Sequence, residues 1–457
     1  MPDVKPENLI YTFVSYATHV DKSWGHGIAI DGIDRTAAIA HKHGIPVTWI
    51  VNAGSAPVLA ERICSWHEQY GDDVILQANY YADESETAKQ RLGEALEQGW
   101  RVLKQHYPWA KTKIVARGRI YNDFLEVAEQ QGFHGVWGYC WEQTWWDDIT
   151  HKGIPWGSWY IDGKRFKAPH PGPGQGKLVA SEWTARDLNA TYHSGSPCIY
   201  SSDPNDVLRA GLCTGDDIEY WKNMFNDYLA NTAHNEQVHF LQQQESHEME
   251  YTERFAVYPA SHVEECSGML DLFFAYITQY PITITTLPLA IEAYHGRNEL
   301  TAPSYMLTKD TLIRPAVNEY TMTLGGTAAG PWPDTFLYYD HECQMAFVDG
   351  AVAPDRLRNY VGKGDMGSEF EEAVPQVYVS GYEKTEDGIR MTFEIGYTTP
   401  KPFGLTYWDD LRGYEVRSCT EGVETKLIGE RVAFLRFALQ GAPVRIELEL
   451  ARTAAKG

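Results

Sequence analysis

Up to residue 300 the chain alternates between two hydrophobic periods, and no other feature restricts its fold as tightly. Short apolar runs at 9–14, 47–51, 73–78 and 114–116 are separated by stretches of helical period at 32–43, 58–70 and 84–107. Gly44 closes the first of these helices and Gly71 the second. After the run at 114–116, Phe124, Leu125, Val127 and Ala128 set the apolar face of a further helix that stops at Gly132, and a strand begins at Val136. Such repeats predict parallel β/α units, with helices covering a mostly parallel sheet. The rhythm breaks over 140–215, which is rich in Trp, Gly, Pro and Asp and too long for a structureless connection. We read it as an insertion over the mouth of a barrel. Regularity returns with a helix at 217–232, a strand at 238–243, a helix at 264–279 and a last strand at 282–285 feeding 287–294. Beyond residue 300 the texture is different. Runs at 376–382, 389–397, 425–428, 432–439 and 444–450 are short and rich in alternating β formers, with Asp387-Gly388 as a hairpin signal and Gly441-Ala442-Pro443 as a second turn. The expected fold class is α/β: a β/α barrel over 1–298 followed by an antiparallel β-sandwich domain over 299–457.

Composition narrows the function. At 457 residues two domains are the default. Lys+Arg 39 against Asp+Glu 62 gives a formal net charge of −23, which argues against nucleic acid or an anionic membrane as partner. No apolar stretch approaches the roughly 18–20 residues that cross a bilayer. MPDVKPENLIYTFV lacks the charged-then-apolar pattern of a signal peptide. The 7 cysteines (64, 140, 198, 213, 266, 343 and 419) form no C-x-x-C, as expected of reduced thiols in a cytoplasmic protein. Homo-oligomerisation is left open. The 15 tryptophans and 28 tyrosines, many of the former in Gly/Pro-rich contexts, suit a site where sugar rings pack on indole and phenol faces.

Four segments carry candidate chemistry. In KTKIVARGRIYNDFLEVAEQQGFHGVWGYC, residues 111–140, Arg117 comes directly after a strand. An arginine at a barrel strand's carboxyl end is placed to hold an anion or orient a carboxylate, although pairing with a neighbouring acid would serve structure alone. In THVDKSWGHG, residues 18–27, His19 and Asp21 would point the same way in an extended H-x-D, as metal ligands or as a base and its orienter, with His26 as a further ligand and Trp24 beside them. In WGYCWEQTWWDD, residues 137–148, Glu142 sits among Trp141, Trp145 and Trp146, where indoles would desolvate it and raise its pKa; Asp147 and Asp148 are reserves. In VHFLQQQESHEME, residues 238–250, a strand runs into His247 with Glu245 and Glu248 as partners or ligands, while Gln243 and Gln244 offer amides to sugar hydroxyls. Elsewhere, Thr184 and Asp187 in EWTARDLNATYH read as a capping-box helix start, with Glu182 as a further candidate acid. PHPGPGQGK lacks the G-K-[ST] ending of a phosphate-binding loop.

Several of these segments occur in the order seen in polysaccharide deacetylases. Tyr11-Thr12-Phe13 resembles the family's opening T-F strand, IAHKHGIPVTWIV its helix-Gly-strand step, YGDDVILQA its third strand, residues 116–122 its arginine motif, and ITTLPLA its closing strand and T-L-P helix. The chain is thus similar to the polysaccharide deacetylase (NodB-homology) superfamily, as a divergent member. The resemblance implies a deacetylase-like (β/α)7 barrel, related to barrels of some retaining glycosidases, and makes His247 the match for a late family histidine. It also has gaps. The T-F-D-D acids fall on Val14-Ser15, and the H-x-x-x-H metal motif on Asn79 and Asp83.

Taken together, the residues and the resemblance read as a carbohydrate-active hydrolase. Its leading form cleaves a glycosidic bond in an oligo- or polysaccharide. Glu142 is the proton donor, Asp21 or Glu245 the nucleophile or base, and Arg117 the orienting group, with His247 in the catalytic set. Trp24, Trp141, Trp145, Trp146, Glu182 and Gln244 would bind substrate, and no cofactor is required. The alternative is a metal-dependent sugar deacetylase that holds a divalent metal, zinc or similar, on His19, Asp21 and His247. A third reading is a non-catalytic glycan-binding protein.

Overall fold

The structure, a computed structural model, describes residues 4–20, 30–78, 87–116, 122–139, 158–162, 165–170, 173–187, 201–232, 235–250, 258–299, 301, 304–308, 335–339, 344–349, 353–359, 377–395, 401–428 and 432–453. Strand and helix alternate from the start: β1 (Leu9–Tyr16), α1 (Asp31–Lys42), β2 (Val47–Val51), α2 (Ser55–Tyr70), β3 (Asp73–Gln77), α3 (Ala88–His106), β4 (Ile114–Ala116), α4 (Asn122–Gln130) and β5 (Gly135–Tyr139). Helix α2 begins earlier than its apolar period suggests, because the Asn52 side-chain oxygen accepts from the amides of Gly54 and Ser55. It ends where Gly71 takes φ +81°, a conformation that other residues adopt only at a cost.

Part of the 140–215 stretch belongs to the sheet itself. β6 (Ser158–Asp162) and β7 (Arg165–Pro169) form a hairpin, and β8 (Val179–Glu182) runs parallel to β5 with Val179 opposite Gly135. α5 (Pro204–Arg209), α6 (Glu219–Asn231), β9 (Val238–Glu245), α7 (Ala260–Ile277), β10 (Thr283–Ile284) and α8 (Leu287–Arg297) complete this half. Parallel strands run in the order β9-β1-β2-β3-β4-β5-β8, with β10 adding a short parallel pair to β1. The Ala185 amide, just past β8, donates to the Leu241 carbonyl of β9 at 2.6 Å, so the two ends of the sheet meet and it curls into a barrel.

Both faces of the sheet are dry. Val14, Ile50, Ile75, Ile114 and Trp137 fill the interior, while Leu9, Tyr11, Phe13, Trp49 and Leu76 face outward into the helix layer. Two-sided burial is why these strands read as unbroken apolar runs. Each fully buried large side chain contributes about 1.5–3 kcal/mol relative to exposure. A titratable group is also admitted inside: His239 meets the Thr12 hydroxyl at 2.8 Å and Ser158 at 3.3 Å, and burial pushes its pKa down to about 4. α8 closes the end of the barrel where strands begin. The Leu287 amide donates to Thr48, and the Thr286 hydroxyl to Asp73. The opposite end, where the strands finish, is left for chemistry.

The second half is all β: β11 (Ser304–Thr308), β12 (Thr335–Tyr339), β13 (Gln344–Asp349), β14 (Ala353–Asn359), β15 (Val377–Lys384), β16 (Gly388–Ile395), β17 (Lys401–Trp408), β18 (Tyr414–Cys419), β19 (Glu424–Ile428), β20 (Val432–Leu439) and β21 (Val444–Arg452). A sheet ordered β14-β13-β17-β20-β19 and another ordered β15-β16-β21-β18 share one core of Met391, Phe393, Leu405, Leu435 and Leu448. That is the expected sandwich, with a parallel pair, β13 with β17, inside it. The β15–β16 turn is closed by the Thr385 amide on the Gly388 carbonyl at 2.9 Å, so Glu386 and Asp387, not Asp387-Gly388, take its corner.

Candidate active site

β1 and β9 pair in parallel register from Leu9↔Val238 to Tyr16↔Glu245, so both strands end at the same level of the barrel mouth. The segments that leave these two strand ends are therefore brought together. Beyond β1 the chain is tied to its other neighbour: the Ala17 amide donates to Ile50 at 2.8 Å and the Asn52 side chain to the Thr18 carbonyl at 3.3 Å. His19 comes next. Beyond β9 the chain enters a 3-10 turn, Ser246–Met249. The His19 and His247 rings stand edge to face, 5.0 Å between centroids. His247 Nε2 lies 2.7 Å from a Glu245 oxygen, and Glu245, His247 and Glu248 each offer a donor atom within 4.8 Å of the others.

The turn is fixed from beneath by α1. Gly32 presses on it so closely that a Cβ would stand 1.7 Å from the Ser246 carbonyl oxygen, and Arg35 Nε donates to the Met249 carbonyl at 2.8 Å. From β1, the Ser15 hydroxyl donates to the Gln244 carbonyl at 2.7 Å and meets the Ser246 hydroxyl at 2.6 Å. A second wall is α5. Its N-cap is Asp203, whose carboxylate accepts from the Asn205 and Asp206 amides and from the Gln243 side chain. Asn205 Nδ2 donates to Glu248, which Gln244 Nε2 also approaches at 3.4 Å.

This end of the barrel concentrates carboxyl groups. Burial above all, and then the neighbouring carboxylates, raise Asp203 and Glu248 well above the usual range; for Asp203 the neighbour is Asp206 and for Glu248 it is Glu245. Arg209, paired with Asp206 at 2.7 Å, opposes both shifts only in part. Imidazole nitrogens beside carboxylate oxygens, crowded and short of positive charge, are a donor set that fits a divalent ion of the zinc or iron kind. Among the described residues, Glu245, His247 and Glu248 are the group with three such donors within reach.

No family model and no curated protein matches the chain. Among solved structures it is similar to a protein assigned as a polysaccharide deacetylase from Mycobacterium smegmatis (12% identity, 68% of this chain and 96% of that one, TM-score 0.41). It is also similar to Puue allantoinase (13% identity, 64% and 92% coverage, TM-score 0.39). A third is the 4-alpha-glucanotransferase of Thermococcus litoralis (8% identity, 98% and 100% coverage, TM-score 0.38).

The residues expected from sequence divide into three groups. His19, Glu245, His247 and Glu248 are brought together. Asp21, Trp24, His26, Asn79, Asp83, Arg117, Trp141, Glu142, Trp145, Trp146, Asp147 and Asp148 lie outside the described residues. Of the positions matching the family's T-F-D-D acids, Val14 is barrel-core and Ser15 is the fully buried hydroxyl that ties β1 to Gln244. Gln244 is itself buried, with its amide nitrogen donating to the Glu245 carbonyl at 3.0 Å. Glu182 ends β8 and is 2% exposed, so burial pushes its carboxyl up to about 8 while Arg186 draws it back. The helix start expected at Thr184 is absent. Its hydroxyl meets Ser202 at 2.7 Å and accepts from the Gln243 amide at 3.3 Å. A helix does begin at Asp203-Pro204, an N-cap followed by proline at the first helical position, which the sequence spells out. No spacing rule links Asp203 to Gln243 or Asn205 to Glu248, so these partners are visible only in the fold.

Proposed function

We propose that this chain is a carbohydrate-active hydrolase of the deacetylase kind, removing an N- or O-acetyl group from a sugar with the help of a divalent metal. The observation that carries this reading is the meeting of His19 with Glu245, His247 and Glu248 at the paired ends of β1 and β9. The carbohydrate part rests on the sequence, on its loop-rich tryptophans and its resemblance to polysaccharide deacetylases. Hydrolysis of a glycosidic bond, the leading expectation from sequence, gives way to its alternative here. That reading relies on Glu142 and Asp21, which lie outside the described residues, and on Glu245, which stands 2.7 Å from His247. Glycoside hydrolysis asks for two carboxylates facing a sugar.

His19, Glu245, His247 and Glu248 would hold the metal. When bound, such an ion supplies Lewis acidity toward an acyl oxygen and a water that ionises near neutral pH. The chain's own residues hold the donors in place. Gly32 and Arg35 fix the turn from α1, and Ser15 and Ser246 lock β1 to β9.

The test is metal analysis of the purified protein, followed by incubation with acetylated chito-oligosaccharides and acetylated xylan, reading acetate and reducing ends separately. Acetate release that a chelator abolishes and zinc restores supports the reading. Release of new reducing ends by metal-free protein overturns it in favour of glycoside hydrolysis.

A further inference from the structure

Glu248 is held by a side chain that is itself held. Asn205, on α5, is 1% exposed and donates through Nδ2 to Glu248. Its Oδ1 accepts from two donors on α7, His262 Nε2 at 2.8 Å and Cys266 Sγ at 3.4 Å. With the amide oxygen accepting here, His262 carries its proton on Nε2 and the NH₂ turns toward the carboxylate. A relay thus runs from α7 through Asn205 to Glu248.

We propose that Asn205 is a positioning residue for the metal centre, holding Glu248 as a ligand through a hydrogen-bond relay anchored on His262 and Cys266. The assignment rests on the metal reading above. An amide donating to a ligating carboxylate fixes which oxygen faces the ion, and removing such outer partners weakens metal binding by about 10–100-fold. Asn205 would act through Glu248 and is not itself assigned as a ligand.

Cobalt(II) titration of the full chain, followed by visible absorption and by competition with a chelator, tests this. Wild-type protein is expected to bind one equivalent. Asn205→Leu is expected to bind at least about tenfold more weakly and with an altered d–d spectrum. The relay predicts the same direction for His262→Phe and near wild-type affinity for His262→Gln, whose amide restores a donor. Far-ultraviolet circular dichroism confirms that each variant compared is folded. If Asn205→Leu and His262→Phe both bind cobalt with wild-type affinity and spectrum, the positioning role is wrong while the metal reading stands. If wild-type protein takes up no cobalt or zinc, both fall together.

Discussion

Single side chains make the sharpest commitments. Glu248→Gln keeps the shape of the donor while removing its charge, so the protein should emerge from purification with less than stoichiometric metal; full occupancy would remove Glu248 from the ligand set. His239 makes a different commitment, to pH. It is buried inside the barrel, and its pKa is lowered from 6.5 to about 4, so the fold favours the neutral imidazole. Stability from this residue is complete above the unfolded value of 6.5 and is lost as pH falls through 6.5 toward 4. The amount at stake is on the order of 3 kcal/mol. Urea unfolding across this range should show a shallower acid-side decline for His239→Gln than for wild type. Equal slopes would show that His239 does not set the acid limit.

At the scale of elements, the joint between α1 and the turn after β9 is the tightest in the site. Gly32→Ala puts a methyl where the Ser246 carbonyl oxygen stands, and overpacking of this kind costs about 1–3 kcal/mol. The expected outcome is a lower urea midpoint together with weaker metal binding, because the displaced turn carries His247. A variant that loses stability but keeps wild-type metal affinity would show that α1 supports the fold and not the site. The same scale explains what can be read in the sequence. β2 and β4 are legible to the residue because both their faces are buried, leaving runs with sharp ends. β8 is not. Its four residues, Val-Ala-Ser-Glu, carry no period, and flanking prolines and glycines hide them within the apparent insertion. His247 and Glu245 are legible as chemistry at a strand end, whereas Asn205 requires knowing that α5 packs beside the turn.

The molecule has two kinds of core. The barrel is packed inside and out, whereas the sandwich has one interior between its sheets. Leu448→Ala in that interior should cost about 2–5 kcal/mol. If the sandwich supports only itself, its unfolding transition should shift in calorimetry while metal stoichiometry stays unchanged; coincident loss of both would show that the halves fold as one unit.

The barrel wall is also unequal around its circumference. β9 zips to β1 along its whole length, yet among the described residues its one backbone bond to the far end of the sheet is Ala185–Leu241, with side-chain contacts from Thr184 and Ser158 beside it. A hoop fastened so lightly at one clasp will spring there first. Deuterium should enter the clasp-side amides of β9 well before those of β2 and β3, and the strand that tears loose is the one that carries Glu245 to the site. Warming would then pull the candidate site apart before it unravels the protein.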